Sequence, residues 1–372
     1  MKILFTGGGS GGHITPIIPI SRELRKIYPE DLKLFFMGPK DDYSNILLSQ
    51  EGIKIKNVIS GKIRRYNKAK NFFNNLFDVL FKIPLGIIQA FFIIFFMSPD
   101  LVFSKGGYGS IPAVIAARFL FIPVFLHEAD VMPGKTNIFL NKFAKEIFVS
   151  FPNTGFFPMN KITLTGNPIR TELLEGDINT AKQVFGIKSE KPVLLVLGGS
   201  QGAQRINEKI LETLTSLVED FEIIHQCGYN NFEQVKAEAF AILERESQGF
   251  YHPFPFLKEP ELKQAYAISN LVISRAGSGV IFEIAATGKP SILIPLPEAA
   301  QNHQIMNAYS YADKGASKVL EECNFTANFF LAKLKSLFAN PQELTDMSKA
   351  AKEFARPNAA KVIANYLIDY LQ

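Results

Sequence analysis

Two β-type runs in this chain pass directly into a cluster of glycines and then into a helix. Lys2–Thr6 (KILFT) leads into Gly7-Gly8-Gly9-Ser10-Gly11-Gly12, and Pro192–Leu197 (PVLLVL) leads into Gly198-Gly199-Ser200-Gln201-Gly202. A short apolar run bounded by such a turn is a strand buried on both faces, as in parallel sheets. A glycine corner that opens a helix lets the backbone turn sharply and approach a ligand closely. The spacing therefore points to an α/β chain with two doubly wound parallel sheets in succession.

The alternation continues between these two points. Leu32–Met37, Leu101–Ser104, Val124–His127, Glu146–Val149 and Ile162–Thr165 read as strands, with helices over Ile17–Tyr28 and Ile111–Leu120. After a pause at Gly166-Asn167-Pro168, a helix over Ala203–Val218 precedes strands at Phe221–Gln226, Gly249–Pro253, Leu271–Ser274 and Ser291–Ile294. A chain of 372 residues suits two domains of about 150–200 residues each. We expect them over 1–165 and 166–355, with a last helix over 356–372 able to pack back onto the first. Ligands of such folds bind beyond the carboxyl ends of the strands, so the expected site is a cleft between the domains.

Charge is divided unevenly. Residues 1–165 carry 20 Lys/Arg and 11 Asp/Glu, whereas residues 166–372 carry 20 and 24. A basic first half implies an anionic partner: nucleic acid, a phosphorylated ligand or a membrane surface. Cys227 and Cys323 are the only cysteines, which excludes a disulfide scaffold and suits a reducing compartment. The apolar start Met1–Phe5 is too short for a signal peptide. The longest apolar stretch, Ile83–Met97, has 15 residues and is interrupted by Pro84 and Gln89. It falls short of the roughly 20 residues that span a bilayer, and a buried helix is one expectation. Lipid contact is the other. Lys54, Lys56, Lys62, Arg64, Arg65, Lys68, Lys70 and Lys82 precede or flank the stretch, with Asp78 the one acid among them. Phe72, Phe73, Leu76, Phe77, Leu80 and Phe81 recur at helical spacing between the cations. Apolar area joined to cations is what peripheral binding to anionic lipid requires.

The chemistry-bearing residues cluster at the glycine corners. Gly7, Gly9 and Gly12 satisfy G-x-G-x-x-G, yet the second strand closes on Phe36-Met37-Gly38-Pro39 without the acid a nicotinamide ribose would need. His13 stands where the loop becomes helix. A second corner, Gly106-Gly107-Tyr108-Gly109-Ser110, precedes Pro112 and offers Ser110 as an N-cap. His127-Glu128-Ala129-Asp130 ends another strand. Neither H-E-x-x-H nor a D-x-D pair is present, so no metal site is expected, and the cluster suits a hydroxylated ligand. Gly198–Ala203 is a phosphate-type corner without the Walker ending. Arg170 offers a planar fork for a phosphate. Glu283, in the helix after Ser274-Arg275-Ala276-Gly277, suits the two hydroxyls of a ribose. Gln301-Asn302-His303-Gln304 supplies amides and an imidazole for a sugar.

In this order the blocks resemble the MurG family: GGGSGGH at 7–13, GGYGS at 106–110, HEAD at 127–130, GNPIR at 166–170, GGSQGA at 198–203, and RAGSGVIFEIAATGKP at 275–290 with NHQ at 302–304. The resemblance spans nearly the whole chain. It implies a GT-B fold of two Rossmann-like domains, the first for acceptor and the second for nucleotide sugar. It also implies an inverting transfer of N-acetylglucosamine (GlcNAc) from UDP-GlcNAc to the lipid-linked muramyl-pentapeptide, lipid I. UDP-GlcNAc is then a substrate, with no cofactor and no nucleic acid. Location would be peripheral on the cytoplasmic face of the cell membrane, with a place in a cell-wall or division complex.

Site roles follow from the same resemblance. Ser10, Gly11, Gly12, His13, Thr15, Tyr108, His127, Glu128 and Asp130 would line the acceptor and sugar side. Many family members carry Asn where this chain has Asp130. Arg170, Ser200, Gln201, Gly202, Ser278 and Gly279 would meet the nucleotide and its phosphates. Glu283 would hold the ribose, the Phe256–Leu257 backbone the uracil, and His303 and Gln304 the sugar hydroxyls. Inversion needs a base near the acceptor hydroxyl: His13 is the first candidate and Glu128 the rival. Phe72, Phe73, Phe77, Lys68 and Lys70 are expected at the membrane. A lipid glucosyltransferase, a UDP-GlcNAc 2-epimerase or a non-catalytic dinucleotide-binding protein are the alternatives.

Overall fold

Every strand pairing among the described residues is parallel. The computed structural model describes residues 1–8, 11–62, 68–152, 155–199 and 202–372. The chain forms two units, Met1–Ile169 together with Pro357–Gln372, and Arg170–Arg356.

In the first unit the strands are β1 (Lys2–Thr6), β2 (Lys33–Gly38), β3 (Lys54–Asn57), β4 (Leu101–Ser104), β5 (Val124–Glu128), β6 (Glu146–Val149) and β7 (Ile162–Leu164). Their order is β3-β2-β1-β4-β5-β6-β7, so the sheet reverses direction of growth between β1 and β4. Period-two alternation sends Ile3, Phe5, Phe36, Phe103, Phe125 and Phe148 to one face. There they meet Ile17, Ile20 and Leu24 of the helix Ile17–Ile27, and Ile363, Ala364 and Leu367 of the C-terminal helix Ala359–Leu371. Phe148 stacks on Phe103 at 6.1 Å and on Phe125 at 6.3 Å, and Tyr366 closes edge-on at 5.2 Å. Phe5, Phe36, Phe103, Phe125 and Phe148 thus lie together on one sheet face. Leu4, Met37, Val102, Val124, Leu126 and Ile147 pack on the other.

The second unit holds β8 (Val193–Leu197), β9 (Glu222–Gln226), β10 (Tyr251–Phe254), β11 (Leu271–Ser274), β12 (Ser291–Leu293) and β13 (Ser317–Val319), ordered β10-β9-β8-β11-β12-β13. It reverses between β8 and β11. The edge strands β3 (KIKN) and β13 (SKV) carry no apolar run, which is why sequence pattern misses them; edge positions tolerate polar residues that a central strand would have to bury.

The apolar segment differs from both the short and the buried helix expected of it. Helix runs from Lys68 to Met97: α-helix to Phe77, a π-turn over Asp78–Lys82, then α-helix again. In the π-turn the Ile83 N–H reaches back to Asp78 O, and this widened register lets the helix pass Pro84 without ending. Asn71–Met97, 27 residues, is long and apolar enough by length and composition to cross a membrane. Only Gly86, Ala90 and Ile94, one narrow stripe, are buried in its last part. Phe72, Phe73 and Phe77 are exposed, Phe73 to 78% and Phe96 to 81%. Two of its polar residues, Asp78 and Gln89, face the protein. The buried Asp78 carboxylate takes the Lys62 N–H at 3.1 Å and Lys82 Nζ at 2.8 Å, and Gln89 Oε1 takes the Ile59 N–H at 2.9 Å. A Cβ on Gly86 would lie 2.0 Å from Ile59 O, so the segment before the helix seats directly on its backbone. The side chains of Lys68 and Lys70 lie outside the described residues.

One buried polar group makes the second unit sensitive to acid. His225 on β9 accepts from Tyr251 Oη at Nδ1 (2.8 Å) and donates from Nε2 to Asn207 Oδ1 (3.0 Å). Burial pulls its pKa from 6.5 to about 3. The unfolded ring takes up a proton that the folded ring refuses, so stability is fully present above pH 6.5 and is lost as pH falls towards about 3. Thermal midpoints recorded through that window should fall with pH, and His225→Gln should flatten the slope. An unchanged slope would show that other groups govern it.

Candidate active site

In the first unit, three corners meet at the carboxyl ends of β1, β4 and β5. Their closeness depends on glycine. A Cβ on Gly107, at φ 78°, would sit 2.0 Å from Gly8 O, and one on Gly109 would sit 2.6 Å from Gly7 O. The two loops interlock backbone to backbone. Ser110 does not cap the following helix; its hydroxyl donates back to Gly107 O at 2.8 Å. Gly11 and His13 fall in a short 3₁₀ turn with Gly12 between them, and the Thr15 hydroxyl donates to Gly11 O at 3.0 Å. His13 Nδ1 lies 3.0 Å from Lys105 O, which fixes the proton on Nδ1 and the lone pair on Nε2. Tyr108 is half-buried, with Lys62 Nζ 5.8 Å from its ring centre. Ser10 lies outside the described residues.

His127 and Glu128 end β5 and are buried. His127 takes a hydrogen bond from Lys105 Nζ at Nδ1 and donates from Nε2 to Gly166 O at 3.3 Å. Both ring nitrogens are therefore engaged within the protein, and the ring braces the corner. Glu128 accepts from the Asp130 N–H (3.1 Å), the Gly134 N–H (3.1 Å) and Asn137 Nδ2 (2.9 Å). Burial, and then the Asp130 charge, push its pKa up to about 7 against these bonds. Asp130 is only half-buried.

The second unit gathers a separate set. At the Gly198–Ala203 corner, Gly199 and Gly202 hold φ of 79° and 78°, and a Cβ on Gly202 would meet Cys227 O at 2.4 Å. The helix Gln204–Asp220 starts there. Ser200 and Gln201 lie outside the described residues. Gln226, the last residue of β9, donates to Gly199 O at 3.2 Å and accepts the Leu257 N–H at 3.0 Å. It thus ties the glycine corner to the Phe256–Leu257 loop and occupies the Leu257 amide. Tyr229 stacks on Phe256 at 5.9 Å. Neither Gln226 nor Tyr229 stands in a motif; a polar residue closing a buried strand was the available signal for Gln226.

Arg170 lies between two acids. Its guanidinium pairs with Glu283 at 3.0 Å and Glu259 at 3.7 Å. Tyr266 Oη donates to the other Glu283 oxygen at 3.3 Å. Glu283 lies in the second turn of the helix Ser278–Thr287, whose first turn holds Ser278 and Gly279. Gln304 Oε1 accepts the Leu296 N–H at 3.0 Å and His303 Nδ1 meets Ala300 O at 2.6 Å. Just before them Gln301 and Asn302 hold φ of 56° and 55°, two consecutive left-handed non-glycine residues. Such residues cost about 1–3 kcal/mol each and concentrate at ligand sites. Among the described residues no three His, Cys, Asp or Glu side chains are grouped as metal ligands.

Comparison with known proteins places this geometry. The glycosyltransferase family 28 N-terminal domain matches residues 3–149, and the family's C-terminal domain matches residues 193–363. A UDP-N-acetylglucosamine–N-acetylmuramyl-(pentapeptide) pyrophosphoryl-undecaprenol N-acetylglucosamine transferase of Clostridium tetani is 38% identical over 98% of both chains. The chain belongs to glycosyltransferase family 28, within its MurG group. A Clostridium botulinum member of the same name is 37% identical over 98% of this chain and 99% of its own. The crystal structure of Acinetobacter baumannii MurG superposes with a TM-score of 0.75 at 28% identity, covering 99% of each chain. A UDP-GlcNAc 2-epimerase of Neisseria meningitidis shares the GT-B fold at 18% identity and TM-score 0.68.

The Arg170–Glu283 pair carries a stability prediction for this family 28 chain. Arg170→Met leaves a mostly buried carboxylate unpaired and should cost about 3 kcal/mol in urea unfolding. Adding Glu283→Gln should recover a large part of that loss. Additive losses in the double variant would show that the two side chains do not interact.

Proposed function

We propose that this chain transfers GlcNAc from UDP-GlcNAc to the C4 hydroxyl of lipid I, with inversion, yielding lipid II for peptidoglycan. The observation that carries the reading is identity of 38% to a transferase of that name across 98% of both chains.

Single displacement needs a base at the acceptor hydroxyl and stabilisation of the departing UDP. His13 is the base in this reading, because the Lys105 carbonyl orients the ring and leaves the basic lone pair on Nε2. Glu128 is less suited, since three donors already hold its two oxygens. Its part is to order the 130–137 segment, with Tyr108 and Asp130 towards the acceptor.

On the nucleotide side, the Gly198–Ala203 corner and its helix start meet the pyrophosphate through backbone N–H groups, with Ser200, Gln201 and Gly202 nearest. Ser278 and Gly279 offer a second helix start. Glu283 accepts the two ribose hydroxyls, and Arg170 and Tyr266 fix its carboxylate. The Phe256–Leu257 loop meets the uracil, while His303 and Gln304 meet the sugar. The purified chain should convert lipid I and labelled UDP-GlcNAc to labelled lipid II; no product would overturn the reading. His13→Ala should lower kcat by about 10²–10⁴-fold with the Kd for UDP-GlcNAc near that of the unaltered chain. A near-normal kcat would move the base to Glu128.

The acceptor is anchored in a bilayer, and the helix Lys68–Met97 supplies a surface for it. Asp78, Gln89 and the Gly86–Ala90–Ile94 stripe hold this helix to the first unit. Its phenylalanines then face lipid in the plane of the cytoplasmic leaflet, so the attachment is peripheral. Cosedimentation with anionic vesicles should weaken as salt rises. Replacing Phe72, Phe73 and Phe77 together by Ser should lower binding by about tenfold or more. Binding indifferent to both changes would place the membrane surface elsewhere.

A further inference from the structure

We propose that Lys105 is a positioning residue for the transfer: its ammonium balances the acids Glu128 and Asp130, and its carbonyl sets the tautomer of His13. The proposal rests on the reading of the chain as a GlcNAc transferase with His13 as base.

Lys105 follows β4 and is 1% exposed. A lysine is almost never buried so fully without a partner. The side chain bonds His127 Nδ1. That ring donates from Nε2 to Gly166 O, so it is the neutral tautomer and accepts at Nδ1. Burial, and then the Lys105 charge, hold the His127 pKa well below its usual value. His127 therefore orients the ammonium without neutralising it.

The opposite charges come from Glu128 on β5 and Asp130 in the loop after it, both of which act on the Lys105 ammonium. Two carboxylates so close, one of them buried, would force one to take up a proton if no cation stood beside them. With Lys105 charged, the group of Lys105, Glu128 and Asp130 carries one net negative charge. Glu128 then stays a carboxylate able to accept from Asp130, Gly134 and Asn137, which is how it orders the 130–137 segment. The same residue reaches the other way through its backbone. The Lys105 N–H bonds Thr6 O at 2.9 Å, and its carbonyl takes the His13 Nδ1 proton at 3.0 Å. One residue thus connects the base to the acid cluster.

The test compares Lys105→Met, Asp130→Asn and the double variant with the unaltered chain, using lipid I and UDP-GlcNAc. Lys105→Met should lower kcat/KM for lipid I on the order of 100-fold, and Asp130→Asn added to it should recover about tenfold by restoring charge balance. In Lys105→Met the acidic limb of the pH profile should move to higher pH, because Glu128 loses the cation that opposes its protonation. The Kd for UDP-GlcNAc should change by less than about twofold, since a positioning role on the acceptor side leaves nucleotide binding alone. A folded Lys105→Met with the original pH profile overturns the proposal, and so does a double variant no more active than the single.

If Lys105→Met does not fold, side-chain ¹⁵N spectra of the Lys289→Arg chain decide the matter. Burial draws Lys105 down to about 7, and Lys289, the other described lysine drawn down, is absent from that variant. The lysine Nζ that titrates lowest should still carry its charge at the pH where the chain acts on lipid I, and a neutral amine there overturns the proposal. Failure of the unaltered chain to act on lipid I would sink the functional reading instead, while the spectra still report on Lys105.

Discussion

The arrangement of the candidate residues in the first unit depends on two backbone loops touching. Gly107 and Gly109 bring the loop after β4 against the carbonyls of Gly7 and Gly8, with 2.0 Å and 2.6 Å separating those oxygens from where a Cβ would stand. Any side chain there would push the loops apart by more than a hydrogen bond can stretch. The contact sets Lys105 beside His13, and the parallel register of β4 with β5 sets it beside His127 and Glu128. Loop contact and strand register together therefore place one residue between a candidate base and two acids. The second unit uses the same device: Gly202 lies against Cys227 O, and Gln226 ties that corner to the loop after β10.

Phenylalanine is put to two opposed uses in the first unit. On the sheet, Phe103, Phe125 and Phe148 stack on one another and are sealed by Tyr366 and Tyr370 from the returning C-terminal helix. On the helix Lys68–Met97, the rings face outward while the small residues face in. This inverts the pattern of a soluble amphipathic helix, whose apolar face seeks the core. A narrow stripe of Gly, Ala and Ile against the protein is enough to hold the helix, because Asp78 and Gln89 add polar tethers on that same side.

Much of the architecture was legible because parallel strands bury both faces and end in glycine. β1, β4, β5, β8 and β11 stand out as apolar runs for that reason. The edge strands β3 and β13 did not, since an edge can be polar. The continuous helix across Pro84 escaped because proline ordinarily interrupts a helix, and only a π-turn with its longer hydrogen bond removes the conflict. At the site, the corners were legible and the wiring was not. Where a long side chain such as that of Arg170 reaches is a tertiary fact, and its pairing with Glu283 and Glu259 could not be read from its residue type. Lys105 stood next to a glycine motif with nothing in its neighbours to show that it would be buried.

The uneven charge of the two halves takes on a local meaning in this arrangement. Residues 166–372 carry 20 basic and 24 acidic side chains, an unfavourable balance for a nucleotide diphosphate. At physiological salt, exposed charges are screened over about 8 Å, so distant surface acids contribute little at a phosphate. Backbone N–H groups at a helix start can meet a phosphate with no basic side chain. Two acids of this unit are held by partners: Glu283 by Arg170 and Tyr266, and Glu298 by Arg205 at 2.7 Å. Arg170 thus holds the Glu283 carboxylate in place together with Tyr266. In the first half the surplus of cations lies largely on and before the exposed helix, while the buried Lys105 stands close to the acids Glu128 and Asp130. Inside the first half it is individually paired charges, and not net charge, that order the corner residues.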